Sequence, residues 1–171
     1  LLIYADVMGI RDEVMKYGEV LVWLAHQSNW KIKSGITPKA VEYDYKLMFE
    51  ERTISVLTYH KETFLAEKMQ TIINRGIANT RLRDFYDVYS IMNFYKEQVD
   101  KKVLYEAFSA TCEKRETVYS KNEIESIIQL IEKDLHMQDL WQQFKKSNFY
   151  VGELEWNVVI GCVEDIFDKT L

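Results

Sequence analysis

Residues 62–89, ETFLAEKMQTIINRGIANTRLRDFYDVY, decide the fold, because apolar residues recur at helical spacing on both sides of a single glycine. These residues are Leu65, Met69, Ile72 and Ile73 before the glycine, and Leu82, Phe85 and Tyr89 after it, and Met92 continues the second series beyond the stretch. The recurrence predicts two amphipathic helices. Gly76 stands where a helix commonly ends in a left-handed residue, and Asn79 and Thr80 are favourable N-caps for the next helix.

Four further helices are predicted downstream. The third begins after Asp100, and Ser120 with Glu123 forms a capping-box pattern ahead of the fourth. The fifth is marked by Leu140, Trp141 and Phe144, and the sixth spans residues 154–167. Residues 62–171 are therefore predicted to form a compact helical domain.

The residues upstream of this domain predict strands. Residues 19–24 form a β-branched and aromatic run, residues 41–49 alternate between apolar and polar, and residues 53–59 follow a polar turn. Alternation with period two is typical of a half-buried strand. We therefore predict an α+β protein with a β portion over residues 1–61 and a helical domain over residues 62–171.

The amino-acid composition limits the classes to which this protein can belong. The 171 residues are enough for one domain, and 47% hydrophobic with 13% aromatic content supplies a core and excludes a disordered chain. No apolar run approaches the roughly 20 residues of a membrane span, so a soluble protein with no membrane partner is expected. Cys112 and Cys162 lie far apart, which disfavours a disulfide framework or zinc knuckle and fits a cytoplasmic protein.

The charge is unevenly distributed. The chain carries −5 overall, but the window from Lys61 to Arg83 holds five basic and two acidic residues. That window carries +3 and the remainder −8. A local basic island in an acidic protein suggests a site for a small anion rather than a track for a long polyanion.

Lys68, Thr71 and Arg75 are spaced i, i+3 and i+7 and so share one face of the first helix. A lysine, a hydroxyl and an arginine together are able to bind phosphate oxygens. The alternative from spacing alone is a solvated helix face.

Asp84 and Asp87 are i, i+3 neighbours on the second helix, and Asp84 continues an apolar stripe. A carboxylate in such a place costs desolvation energy unless it is paired or coordinates a ligand. The alternative from spacing alone is a pair of ordinary helix ion pairs, Arg81 with Asp84 and Arg83 with Asp87.

Other patterns that carry chemistry are weak. Glu42 and Asp44 alternate on a predicted strand, as Mg²⁺ ligands do, but they lie opposite its apolar face and are interpreted as solvated. The histidines show no metal-ligand spacing, so no metal ligands are predicted. A P-loop and a dinucleotide-binding glycine motif are absent from the sequence.

Residues 62–68, ETFLAEK, and 74–89, NRGIANTRLRDFYDVY, resemble the C-terminal signature of the AbiEii/AbiGii-type nucleotidyltransferase toxins of type IV toxin–antitoxin (abortive-infection) systems. The family pattern is Glu-Thr-x-x-Ala-Glu-Lys, followed by Arg-Gly-x-x-Asn-(Thr/Ser)-Arg-x-(Lys/Arg)-Asp-Phe-Tyr-Asp. The match is ordered and correctly spaced. It is strongest from residue 35 to about residue 115.

The resemblance implies a nucleotidyltransferase-type mixed sheet, of which residues 1–61 would be a remnant, followed by the helical domain. It implies transfer of a nucleotide from an NTP to an acceptor such as tRNA, in the presence of Mg²⁺. GTP is the first NTP to consider. The resemblance also implies a cognate antitoxin as partner. The family's functional lysine falls on Lys68 and its functional aspartate on Asp84, which should face a common pocket for the triphosphate. Arg75, Arg81 and Asp87 are further pattern positions, assigned with Thr71 to nucleotide binding.

Two departures from the family pattern bear on activity. The family's Gly-Ser strand with its metal-binding Asp-x-Asp has no counterpart in this sequence, which starts at Leu1 without methionine, and we expect it to lie upstream. The segment before Pro38 carries Lys31 and Lys33 where the family has carboxylates. We therefore expect this chain alone to bind nucleotide weakly and to catalyse little. The alternative is a degenerate, non-catalytic protein-binding module of the same fold.

Overall fold

The computed structural model describes residues 41–46 and 52–171, together with Pro38. The predicted strand over residues 19–24 and the predicted loop before Pro38 lie outside the described residues. β1 (Val41–Lys46) and β2 (Thr53–Thr58) pair antiparallel, with Val41 opposite Thr58 and Lys46 opposite Thr53. Both strands were predicted, β1 from its alternation and β2 as the run that follows a polar turn. Within the described ranges the sheet consists of this hairpin, so helices dominate the part of the chain that the structure describes.

Six α-helices follow the hairpin in the described part of the chain, and three short 3₁₀ turns join some of them. The helices are α1 (Lys61–Arg75), α2 (Leu82–Tyr95), α3 (Lys101–Lys114), α4 (Lys121–Lys133), α5 (Leu135–Ser147) and α6 (Trp156–Thr170). The 3₁₀ turns are Gly76–Ala78, Lys96–Gln98 and Phe149–Val151. The compact helical region after residue 61 thus has the predicted number and order of helices.

Several helix ends follow local sequence signals. Asp100 caps α3, its carboxylate accepting from the backbone N–H groups of Lys102 and Val103 at 2.9 and 3.1 Å. Ser120 and Glu123 form the predicted reciprocal capping box at the start of α4. Gly76 ends α1 with a φ of 51°, the left-handed region that favours glycine, and its N–H donates to the carbonyl of Ile72.

The predicted start of α2 was wrong by two residues. Asn79 and Thr80 do not cap the helix; Arg81 occupies the N-cap position, and α2 begins at Leu82. The reason is that the chain makes a 3₁₀ turn over Gly76–Ala78 directly after α1, so α2 starts later in the sequence. The Asn79 side chain is fully buried, and its oxygen accepts from the Arg81 N–H at 2.9 Å, so it shapes the connection instead.

Helices α5 and α6 also begin at different residues than predicted. α5 starts at Leu135, earlier than the apolar marks at residues 140–144, because the Asp134 carboxylate caps it by accepting from the Met137 N–H at 2.8 Å. α6 starts at Trp156, after Leu154, whose carbonyl lies in the preceding turn and accepts from the indole of Trp141 at 3.0 Å.

The core is built around α1 and α2. α1 packs against α2 and α3, and α2 packs in turn on α5 and α6. Aromatic rings fill the α2–α5–α6 junction: the ring centroid of Trp156 lies 5.3 Å from that of Phe85 and 5.7 Å from that of Trp141. Trp141 is fully buried. Such packing fixes the position of α2 against α5 and α6.

No helix in the described part of the chain is both long and apolar enough to cross a lipid bilayer.

Candidate functional site

The charged groups singled out in the sequence meet where α1 faces α2. The Lys68 ammonium lies 2.5 Å from Oδ1 of Asp84 and 2.8 Å from Oδ2 of Asp87. Asp84 and Asp87 are one turn apart on α2, so both carboxylates point across the helix interface to the same ammonium. Lys68, Asp84 and Asp87 are called the Lys68 cluster below.

The Lys68 cluster is largely withdrawn from water. The side chains of Asp84 and Asp87 are 4% and 3% exposed, whereas the side chain of Lys68 is 20% exposed. The Lys68 ammonium also lies 5.0 Å from the centre of the Phe64 ring, within cation–π range. Burial of each ion costs several kcal/mol of desolvation free energy. The two buried carboxylates therefore need the Lys68 ammonium to offset this cost.

The protonation of the cluster follows from this pairing. Burial lowers the pKa of Lys68, but the hydrogen bonds and charges of Asp84 and Asp87 outweigh burial, and the net pKa is raised above 10.5. Burial raises the pKa of Asp87 above its ordinary value, only partly offset by Lys68. Lys68 is therefore protonated at neutral pH.

Two arginines border the cluster. The Nε of Arg81 lies 3.9 Å from Oδ2 of Asp84, and the Arg81 side chain is 60% exposed. The charge of Arg83 lowers the pKa of Asp87, although burial prevails. The i, i+3 ion pair predicted between Arg81 and Asp84 is thus confirmed, as a long contact on the rim of a buried cluster. The stronger partner of Asp84 is Lys68, sixteen residues away.

Thr71 and Arg75 do not join the Lys68 cluster. The Thr71 hydroxyl donates to the Glu67 carbonyl at 2.8 Å and accepts from Nη1 of Arg115 at 2.9 Å. Arg75 is exposed in the last turn of α1. Although these residues share one face of α1, Lys68 contacts α2, whereas Thr71 contacts Arg115 at the end of α3.

Sequence reasoning missed Arg115. It follows α3, and its Nη1 donates both to Thr71 and to the fully buried amide oxygen of Gln70. Gln70 in turn donates to the Thr117 hydroxyl at 3.2 Å. Arg115 is 44 residues from Thr71 in sequence, so no local spacing marks it. Only the packing of α1 on α3 brings it beside the candidate site.

The described residues do not fit a divalent metal. No group of three His, Cys, Asp or Glu side chains there is arranged to hold an ion. In the Lys68 cluster the space between the two carboxylates is taken by the ammonium itself. Glu42 and Asp44 are both exposed on β1, as expected for a solvated face.

Lys68 and Asp84 face one another, as expected, but they are in direct contact and not on opposite walls of a cavity. A shallow surface cavity of about 410 Å³ lies elsewhere, where α4, α5 and the start of α6 meet, and is lined by Glu132, Gln138 and Trp156 among others. A ligand therefore reaches the Lys68 ammonium from the side of the cluster that is exposed to solvent, and not through a cavity.

Comparison with known proteins identifies one family. The sequence model described as "Nucleotidyl transferase AbiEii toxin, Type IV TA system" matches residues 24–161, which is most of the chain. No curated protein and no solved structure gives a significant match.

Proposed function

The chain belongs to the AbiEii family of nucleotidyl transferase toxins of type IV toxin–antitoxin systems, and from this premise we propose that its helical region binds the triphosphate of a nucleotide substrate through Lys68. In the proposed reaction a nucleotide passes from an NTP, with GTP the first to test, to a hydroxyl of an acceptor such as tRNA. The α–β phosphoanhydride bond of the NTP breaks, and pyrophosphate is the leaving group. The family also implies an antitoxin as partner.

The observation that supports this proposal is the partial exposure of a firmly held ammonium. A lysine ammonium has three N–H donors, and two of them are directed at Asp84 and Asp87. The third is left for a ligand on the exposed side. Because the pKa of Lys68 is raised, the group remains a cation when a phosphate approaches.

Asp84 and Asp87 act in this proposal as positioning residues. They restrict a flexible lysine side chain to one place, which lowers the entropy lost when a phosphate oxygen binds. The exposed guanidinium of Arg81, beside Asp84, supplies a second cation on the rim. Phosphoryl and nucleotidyl transfer depend mainly on positioning and on neutralisation of the triphosphate charge. A preorganised Lys68 contributes to positioning, because Asp84 and Asp87 already balance its charge.

Nucleotidyltransferases of this kind generally use Mg²⁺, which would supply positive charge to offset that of the triphosphate when bound. The two acids of the Lys68 cluster do not suit that ion, since Lys68 already occupies the space between them. The part assigned to the helical region is therefore phosphate binding alone.

The test uses the full-length protein and radiolabelled GTP with Mg²⁺ and total tRNA. Lys68→Met should weaken GTP binding and reduce label transfer at least tenfold, because an ionic hydrogen bond to phosphate is lost. Lys61→Met is the matched control, since Lys61 lies on the same helix and pairs with buried Glu62 at 3.5 Å. Unchanged GTP affinity in a folded Lys68→Met protein would refute the proposal.

The second candidate is a non-catalytic binding module in which the Lys68 cluster only holds α1 to α2. The side chains of Phe149 and Leu135, which are 82% and 74% exposed, are candidates for the contact surface of such a module. A protein that binds no GTP or tRNA, but forms a stable complex with the cognate antitoxin, would support this candidate against the first.

A further inference from the structure

Arg115 lies at the end of α3, where the chain reverses direction. Glu116 takes a φ of 54°, its N–H donates to the Glu113 carbonyl at 3.0 Å, and the Thr117 N–H donates to the Cys112 carbonyl at 2.9 Å. These two bonds form a Schellman motif, which gives the residues around it a defined backbone. The Arg115 side chain leaves this turn toward α1.

The Arg115 guanidinium is anchored by a buried group. Its Nη1 donates to the side-chain oxygen of Gln70, which is fully buried, and to the Thr71 hydroxyl at 2.9 Å. Gln70 is itself held by Thr117. An amide inside the core thus holds an exposed arginine in one position, which is uncommon for a long surface side chain.

The charge of Arg115 is not neutralised by the protein groups that hold it. Gln70 and Thr71 are both uncharged, and Arg115 forms no ion pair with any residue in the described ranges. Its two anchoring bonds use Nη1 alone, and Nη2 and Nε have no hydrogen-bond partner among the described residues, so these two donors are left for a ligand. A guanidinium with free donors and no counter-ion suits a phosphate group.

Thr71 itself is poorly suited to donate to phosphate. A hydroxyl has one proton, and that of Thr71 is directed at the Glu67 carbonyl at 2.8 Å. What Thr71 offers to the outside is an acceptor, and Arg115 uses it. The hydroxyl is therefore arranged to orient the guanidinium.

We propose that Arg115 is a phosphate-binding residue of the nucleotide site, contacting the triphosphate from the α3 side, and that Thr71 is its positioning residue. Lys68 and Thr71 are one turn apart on α1, with Cβ atoms roughly 5–6 Å apart, so Arg115 and Lys68 flank the same stretch of helix. This inference rests on the proposed function and adds a second, independently held cation to it.

The experiment measures the Kd of the full-length protein for GTP, inorganic tripolyphosphate, guanosine and tRNA. Arg115→Gln should weaken binding of GTP and tripolyphosphate about tenfold, lower the salt dependence of that binding, and leave guanosine binding unchanged. Lys114→Gln is the matched control, because it removes an adjacent exposed cation from the same helix end and should change little.

The role of Thr71 is tested by a conservative pair. Thr71→Val should weaken tripolyphosphate binding by a few-fold, and Thr71→Ser, which restores the hydroxyl, should recover it. If Arg115→Gln lowers the melting temperature, Arg115→Lys replaces it, since this change keeps the charge and removes the planar fork; it should still weaken tripolyphosphate binding.

The outcomes separate this inference from the proposed function. Wild-type protein that binds neither GTP nor tripolyphosphate would overturn both. Binding that Lys68→Met removes but Arg115→Gln leaves intact would overturn the role of Arg115 alone. Loss of tRNA affinity in Arg115→Gln without any change for tripolyphosphate would also overturn it, because the arginine would then contact RNA.

Discussion

The Lys68 cluster predicts a large and pH-dependent loss of stability when its cation is removed. In Lys68→Met, two carboxylates that are only 3–4% exposed lose the ammonium that lies 2.5 and 2.8 Å from them. Removal of one partner from a buried ion pair costs about 3–5 kcal/mol. A typical domain is stable by about 5–15 kcal/mol, so the loss should be plain at pH 7.

The loss of stability in Lys68→Met should be smaller at acidic pH. Burial already raises the pKa of Asp87 while Lys68 is present, and without the ammonium the buried acid accepts a proton more readily. A group whose pKa is raised by folding stabilises the folded state below its unfolded pKa and loses that contribution as pH rises. Lys68→Met should therefore be closer to wild type at pH 5 than at pH 7.

The assay is urea unfolding at both pH values, followed by the fluorescence of buried Trp141 and Trp156. The control is the triple variant Lys68→Met with Asp84→Asn and Asp87→Asn, which removes all three charges and should recover most of the stability, because uncharged amides cost less to bury. A loss below about 1 kcal/mol at pH 7, or an equal loss at both pH values, would contradict the account of the cluster.

Two further predictions concern alkaline pH and the turn after α3. The pKa of Lys68 is raised above 10.5 in the folded protein. The stabilisation that Lys68 provides is therefore complete below pH 10.5 and is lost as the pH rises through the folded pKa. Between pH 9 and 11, the free energy of unfolding should fall more in the wild type than in the triple variant. Glu116→Gly should stabilise the protein by about 0.5–1 kcal/mol, because glycine adopts the left-handed φ of 54° without strain; a thermal melt with a lower Tm would contradict this.

Local patterns predicted most of the helical region because they act over a few residues. Apolar spacing defined the buried faces of α1 and α2, and the caps at Asp100 and Ser120 depend on side chains two or three residues from the groups they bind. The start of α2 was misplaced because the 3₁₀ turn after Gly76 has no such signal. The division of the chain at residue 61 stays a prediction.

The candidate site shows where local information stops. Spacing on α2 suggested Arg81 and Arg83 as partners for its two acids, whereas the closest cation is Lys68 on another helix. The family signature marked Lys68 and Asp84 without showing that they touch. Helix rotation and crossing decide such contacts, and neither is encoded in the spacing along one helix.

The sequence by itself determined the family, the order of the helices and the residue types available for phosphate binding, because these depend on motif and periodicity. Only the tertiary structure decided that Asp87 shares Lys68 with Asp84, and that Arg115 donates to Thr71 and to Gln70. The physical reason is sequence distance: these contacts join residues 16 to 45 positions apart, and they exist only once α1 has packed between α2 and α3.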